Sequence, residues 1–338
     1  MREGMPDARV SILVPPRSAE VIEGSSLVDH IVTFDKFRFD NPLNSLTPGA
    51  FAAAATLLGR LRKGKFDAVA IMHHLTTRWG TMKYAALALC SGAPERVGLD
   101  NGRGWFLTGR MPDLGFGEKH EAEYWLDVAG LLGAKVADYP MEITLRPEDE
   151  AFAEKHLPNP SGRPTIALHP GSGEFSLARR WPSDRFAQVA QSLVQRHDAQ
   201  LVMVGSTNER ALAEEVARNV QPPPTNLAGK TTVRQLAAIL KLCHLFVGND
   251  SGVMHLAAAV GTPVVAIFGP SNHRAWGPWL GNGFDRAEVV RVDIPCSPCL
   301  YVDGRVGNRN GCLALDCQNL VTPEMVLAAT ERLLKSHE

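Results

Sequence analysis

Two short stretches of this chain hold residues that could do chemistry. His169-Pro170-Gly171-Ser172-Gly173 leads into Arg179-Arg180-Trp181-Pro182, and Gly248-Asn249-Asp250-Ser251-Gly252-Val253-Met254-His255 follows later. Each reads as a strand, a glycine-bearing turn and the start of a helix. That geometry aims backbone N–H groups and a helix N-terminus at an anion. Two such corners in one half of a chain suit the twin phosphates of a nucleotide diphosphate. In the second corner the N–H groups of Ser251, Gly252 and Val253 are the phosphate donors. Asp250, which a phosphate would repel, is placed to accept hydrogen bonds from sugar hydroxyls. His255 falls one helical turn after Ser251, on the same side, and could donate to a phosphate oxygen. In the first corner Ser172 and Gly173 make a phosphate-facing turn. Arg179 is the cation for a departing diphosphate, because a planar guanidinium binds two oxygens at once. The plainer alternatives are an Asp or Ser helix cap at 250–251, a structural histidine at 255 and a solvated loop at 179–180. Trp181 reads as core.

Other motifs narrow the choice. Gly229-Lys230-Thr231 resembles the end of a P-loop, but Pro224 stands where that motif needs its first glycine, and no GxGxxG follows the first strand. A P-loop kinase and a dinucleotide-dependent dehydrogenase are thereby disfavoured. Cys296, Cys299, Cys312 and Cys317 are spaced C-x2-C-x12-C-x4-C in one loop-rich segment. Two close pairs can converge on a tetrahedral structural zinc or iron; the alternative is four reduced thiols. Cys90 and Cys243 lie in helix-like runs and read as core. Arg60, Arg62, Lys63 and Lys65 cluster at the end of a helix, where cations favour the dipole. A second reading of that cluster is attraction to an anionic membrane surface or a phosphorylated acceptor.

The elements that must position these residues alternate between strand-like and helix-like runs. In the first half, strands are expected at Val10–Val14, Ile31–Phe34 and Ala68–Met72, the last ending at His73-His74. Helices are expected at Phe51–Leu61, Tyr84–Cys90 and Glu121–Leu132, with Gly133 as a cap. Residues 146–163 are charged and proline-rich and read as an interdomain linker. Beyond them strands are expected at Thr165–Leu168, Gln200–Val204, Leu245–Val247 and Pro263–Phe268. Helices are expected at Ser183–His197 with Ser183 as N-cap, at Glu209–Asn219, at Val233–Leu242 behind a Thr232–Gln235 capping box, at Gly252–Val260 and at Pro323–Lys335. This alternation implies parallel, doubly wound sheets with helices on both faces. Ligands bind such sheets beyond the C-terminal strand ends, where His169 to Gly173, Gly205 to Glu209 and Gly248 to His255 all fall.

Composition sets outer bounds. With 338 residues, 45% hydrophobic and 21% charged, two globular domains are expected. A net charge of -1 offers no broad basic face for nucleic acid. No apolar run reaches the roughly 20 residues that span a bilayer, and the polar N-terminus lacks an apolar signal region. The expectation is a cytoplasmic protein, with membrane contact at most peripheral, at the inner face of the inner membrane.

The two long motifs together resemble those of glycosyltransferase family 9, the ADP-heptose:lipopolysaccharide heptosyltransferases. Pro6–Ser11, Leu27–Ile31 and His120-x-x-Glu123 are similar to that family as well. The resemblance implies a GT-B fold, two Rossmann-like domains facing a cleft. The expected division is 1–155 for the acceptor side, 164–322 for the nucleotide-sugar side, and 323–338 as a helix returning to the first domain. It implies an inverting transfer of heptose, or a related sugar, from an ADP-sugar to a lipopolysaccharide core or similar glycan, with no cofactor for catalysis. Ser172 and Arg179 would bind phosphate, Glu209 the ribose hydroxyls and Asp250 the heptose, with Ser251, Gly252 and His255 at the diphosphate. The cysteine set is similar to that of an autotransporter-modifying branch in which cysteines hold iron. The family opens with a strand and a Leu-Gly-Asp turn whose Asp serves as base. The sequence starts after that point, so the first domain is expected to lack its first strand, and His73 or His74 is the substitute base on chemistry alone. The alternatives are a non-catalytic nucleotide-sugar binder and a nucleotide-sugar epimerase.

Overall fold

The computed structural model describes residues 1, 3–39, 47–158, 162–281 and 286–335. They form two units, Met1–Ala137 with Asp303–Arg305, and Asp138–Val302 with Val306–Glu338.

In the first unit β1 (Ser11–Val14), α1 (Pro16–Ile22) and β2 (His30–Thr33) come first, the strands pairing in parallel. Pro16 opens a helix that the sequence reading misses, at the position where a missing N–H costs nothing. Then come α2 (Pro48–Lys63), β3 (Ala68–Ile71), α3 (Arg78–Ser91), β4 (Glu95–Asp100), β5 (Gly109–Pro112) and α4 (Glu121–Gly130). The Thr47 and Thr77 hydroxyls cap α2 and α3 by accepting from Ala50 and Gly80 N–H. Gly92, at φ 76°, ends α3 in the left-handed conformation. Strands β3, β4 and β5 form a parallel sheet separate from β1–β2. Ile71 packs with Leu75, Ala85 and Ala88 on one face of it, and Val97 and Leu99 pack with Tyr124 and Val128 of α4 on the other. His120 and Glu123 are the two halves of the α4 capping box.

The second unit contains α5 (Pro147–His156), β6 (Thr165–His169), α6 (Ser183–His197), β7 (Gln200–Met203), α7 (Arg210–Ala217), β8 (Thr225–Asn226), α8 (Val233–Lys241), β9 (Leu245–Asn249), α9 (Gly252–Ala259), β10 (Val264–Ile267), α10 (His273–Trp276), β11 (Ala287–Val290), β12 (Leu300–Val302), β13 (Arg305–Gly307, its first residue counted with the first unit), α11 (Asp316–Asn319) and α12 (Pro323–Lys335). Its six-stranded sheet is ordered β8-β7-β6-β9-β10-β11, with every neighbouring pair parallel. Counted from β6, that is the doubly wound order 3-2-1-4-5-6. The strand residues alternate between two cores. Ile166, Leu168, Leu201, Met203, Val247 and Ile267 face α6, α7 and α12, while Ala167, Val202, Phe246 and Ala266 face α5, α8 and α9. Burial on both faces is why these strands read as unbroken apolar runs.

Two boundaries differ from the expectation. The break between units falls at Ala137, and α5, expected to fall partly in the first domain and partly in a linker, buries Ala153 in the second unit's core. The proline-rich residues 159–161 lie outside the described residues. The final helix buries Val326, Leu327, Ala329 and Leu333 on the second unit's own sheet, so its apolar stripe is committed there; residues 336–338 lie outside the described residues. Ser183 is the first residue of α6, after Pro182 as N-cap, and its hydroxyl donates to Glu215.

Candidate functional site

The second unit's sheet reverses its winding between β6 and β9, and His169 at the end of β6 pairs with Gly248 near the end of β9. In an open parallel sheet this switch point is where a crevice forms for a ligand. Both sequence motifs end there. The side chain of Asn249, fully buried, ties them together: its Oδ1 accepts from Trp181 N–H at 3.0 Å, and its Nδ2 donates to the Pro170 and Gly171 carbonyls. Trp181 is core as expected, packed edge-on to Phe186, with its indole N–H donating to the Val321 carbonyl.

Arg179 joins the two corners directly. Its Nη1 donates to Asp250 Oδ2 at 3.2 Å and its Nη2 to the Ser172 carbonyl at 2.7 Å. The guanidinium lies 5.7 Å from the Phe175 ring centre. Among the described residues, Arg179 Nε and Arg180 Nε are buried without an acceptor. Buried guanidinium donors of this kind are costly unless an anion takes them up. Asp250, expected to face sugar hydroxyls, is thus already paired with a cation. Ser172 is buried, and its hydroxyl donates to the Ser176 carbonyl at 3.0 Å.

Ser251 is the N-cap of α9, accepting from Met254 N–H. Gly252 is exposed, and a Cβ there would meet nothing within 4 Å. The first N–H groups of a helix have no intrahelical acceptor; at the start of α9 the Ser251 hydroxyl takes the one on Met254. His255 sits half-buried one turn further on.

Glu209 is the most heavily bonded group. Its Oε1 accepts from Gly173 N–H at 2.8 Å, and its Oε2 accepts from the Ser206 N–H and hydroxyl, both at 2.9 Å, and lies 3.3 Å from His169 Nε2. Burial opposes its charge, but the His169 contact and these donors outweigh it and hold the carboxyl far below its ordinary range. The other ring nitrogen of His169 lies 3.1 Å from Ser251 Oγ. His169 therefore links the 206–209 turn to the α9 cap, a role the sequence reading misses although it quotes the residue. The available signal is a histidine at a strand end, followed by Pro-Gly. Gly171 must be glycine because a Cβ would collide with the Glu209 carboxylate and His169 Nε2.

The four loop cysteines differ in burial. Cys296 and Cys312 are exposed, Cys299 is half-buried and Cys317 buried. Burial first, and then the neighbouring thiols, push Cys317 up to about 11 and raise Cys299. The four are neighbours, yet among the described residues no three His, Cys, Asp or Glu side chains are placed to hold a metal ion. Cys243 is buried as expected; Cys90 is exposed near the end of α3.

In the first unit His74 follows the end of β3 and is buried between two carboxylates. Its Nδ1 donates to Asp113 Oδ1 at 2.8 Å and its Nε2 to Glu121 Oε1 at 3.1 Å. Burial disfavours the imidazolium, but the hydrogen bonds to Asp113 and Glu121 prevail and push it up to about 9. A histidine that holds its proton through neutral pH, with both nitrogens engaged, is no general base, which removes one of the two substitutes. His73 differs: its Nδ1 donates to the His74 carbonyl at 2.7 Å, and burial lowers its affinity for a second proton.

The family model for glycosyltransferase family 9 (heptosyltransferase) matches residues 55–308. Lipooligosaccharide heptosyltransferase 2 of Campylobacter jejuni is 31% identical over 178 residues, 52% of this chain and 53% of that protein. Lipopolysaccharide heptosyltransferase 2 of Escherichia coli is 39% identical over 182 residues, 53% of this chain and 49% of that one. The chain thus spans about half the length of the curated relatives it matches. Among solved structures, a family 9 glycosyl transferase from Veillonella parvula superposes with a TM-score of 0.76 at 22% identity, over 99% of this chain and 91% of that one. The ADP-heptose lps heptosyltransferase II of Escherichia coli does so with a TM-score of 0.72 at 22% identity, over 99% and 92%. The fold is therefore of the GT-B class, with two α/β units, and the chain belongs to glycosyltransferase family 9, the heptosyltransferase family.

Proposed function

We propose that this protein transfers heptose, or a related sugar, from an ADP-sugar to a lipopolysaccharide core or similar glycan, in the cytoplasm, with at most peripheral contact to the membrane. One observation carries the reading: Arg179 and Asp250, from the two motifs, meet at 3.2 Å over the switch point of the second unit's sheet. In the reaction, the acceptor hydroxyl loses its proton and its oxygen attacks the anomeric carbon. The bond from that carbon to the β-phosphate oxygen breaks, and ADP leaves with the added negative charge. Arg179, whose Nε lacks an acceptor, and the N-terminus of α9 at Gly252 stabilise that charge. Ser172 and Ser251 line the same phosphate path, with His255 donating from the first turn of α9. Asp250 takes sugar hydroxyls of the donor from its place beside Arg179. Glu209, fixed by His169 and Ser206, offers its carboxylate to the ribose. The transfer needs no metal or cofactor in this scheme, and the four loop cysteines stand outside it.

The test is incubation with ADP-heptose and a lipopolysaccharide-core acceptor, reading ADP release and acceptor mass. Transfer that Arg179→Met lowers about 100-fold supports the reading. Tight donor binding without acceptor-dependent ADP release makes the protein a binder instead, and loss of ADP-heptose binding altogether overturns both.

A further inference from the structure

Helices α2 and α3 give part of the first unit a surface unlike the rest of the chain. From Pro48 to Pro94 six lysines and arginines stand against a single acid, Asp67, in a protein of net charge -1. Neither helix contains an Asp or a Glu. Both also show water large apolar side chains: Phe51 of α2 is 65% exposed, and Trp79, Met82 and Leu89 of α3 are 38%, 55% and 44% exposed. Trp79, Met82 and Leu89, with exposed Ala86 between them, lie along one stripe of α3 at three- and four-residue steps. Arg60, Arg62, Lys63 and Lys65 are exposed at the end of α2, and none makes an ion pair among the described residues. The two helices pack against each other, and Arg62 lies over Gly92 at the end of α3, so the cations and the apolar stripe adjoin.

Solvent alone does not call for such a face, since a solvated helix pair mixes acids with bases and exposes few large apolar groups. A second copy of this chain would set like charges against each other. A layer of anionic lipid headgroups is uniformly negative, and the acyl boundary beneath it takes Phe, Trp, Met and Leu while lysine and arginine reach back to the phosphates. We propose that the α2–α3 face is a docking surface for an anionic lipid bilayer. It deepens the acceptor side of the function proposed above, and its test reads lipid binding rather than sugar transfer, so either can fail alone.

The experiment is co-sedimentation of the full chain with phosphatidylglycerol-containing vesicles and with pure phosphatidylcholine vesicles, at low and high salt. Binding to the anionic vesicles that high salt weakens, with little binding to phosphatidylcholine, is the expected result. Each surface cation is worth about fivefold in partitioning. Arg60→Gln with Lys63→Gln should therefore weaken binding by roughly 25-fold, and Met82→Glu with Leu89→Glu, both at exposed positions, should abolish it. Circular dichroism melts and ADP-heptose binding should stay as in the parent protein. Three results would each overturn the proposal: no binding to anionic vesicles, equal binding to both vesicle types, or binding that neither double variant changes. Binding only to vesicles that carry the glycan acceptor would also overturn it, because the surface would then be reading sugar.

Discussion

Replacing His74 by glutamine gives the sharpest test of the first unit's interior. The imidazole is buried between Asp113 and Glu121 and pushed from its ordinary 6.5 up to about 9. One pKa unit corresponds to about 1.4 kcal/mol, so the folded state gains about 3 kcal/mol by holding this proton. The sign follows from a raised value. The contribution is complete below pH 6.5, where the unfolded chain is also protonated, and it is lost as pH rises from 6.5 through about 9. In His74→Gln two buried carboxylates face each other with no cation between them, a change of the kind that costs about 3–5 kcal/mol. Hydrogen exchange over β3–β5 reports this unit separately. In the parent protein, protection of these strands should fall between pH 6.5 and 9 once intrinsic exchange is allowed for. In His74→Gln it should be low already at pH 6.5 and change little over that range. The His74 ring, followed by NMR, should titrate near the upper end. A ring that titrates near 6.5, or protection that is flat across the window, would refute the reasoning.

Four further outcomes centre on the second unit. Arg179→Met should lower the rate of transfer about 100-fold, the usual loss for one charge-stabilising group, measured as ADP release under saturating donor. Glu209→Gln should weaken ADP-heptose binding in calorimetry and cost about 1.5–3 kcal/mol in urea unfolding, because charge-assisted bonds to Gly173 and Ser206 are lost. Its carboxyl is depressed, so the parent's Glu209 contribution is present above the ordinary 4.5 and fades only as pH falls below it; the variant should lack that acid-side decline. Gly171→Ala drives a methyl into Glu209 and His169 and should destabilise the protein by about 1–3 kcal/mol, seen as a lowered urea midpoint. Thiol alkylation mapped by mass spectrometry should label Cys90, Cys296 and Cys312 first and Cys243 last; equal rates would contradict the burial pattern.

How much of this was legible beforehand depended on the range of the interaction. The helices Ser183–His197 and Pro323–Lys335 and the Thr232–Gln235 capping box were readable because their signals are local: an apolar stripe, a cap, a proline at the first turn. The second unit's strands were readable because burial on both faces leaves continuous Val, Ile, Leu and Ala runs. Where local signals conflict, the reading failed. Pro15-Pro16 looks like a stop but starts α1. Pro147 and the acids after it look like a linker but begin α5. Glu95–Asp100 alternates too many charges to announce β4.

The site itself was legible by residue type and illegible by partner. His169 reaches Ser251, 82 residues away, and Glu209, 40 away; Arg179 reaches Asp250, 71 away. No periodicity specifies such pairs. They are set by strand order, because only an arrangement that seats β9 beside β6 brings the two motif turns to one crevice. The same topology explains why Asp250 and Glu209, expected to take sugar hydroxyls, are also engaged within the fold. Before a ligand arrives, a buried carboxylate must find donors within the fold, and the donors that the sheet order supplies are Arg179 for one and His169, Ser206 and Gly173 for the other. A sugar that binds here exchanges for some of these contacts, so donor affinity measures the difference between two sets of hydrogen bonds, and a variant that loosens the internal set can bind the sugar more tightly while folding less well.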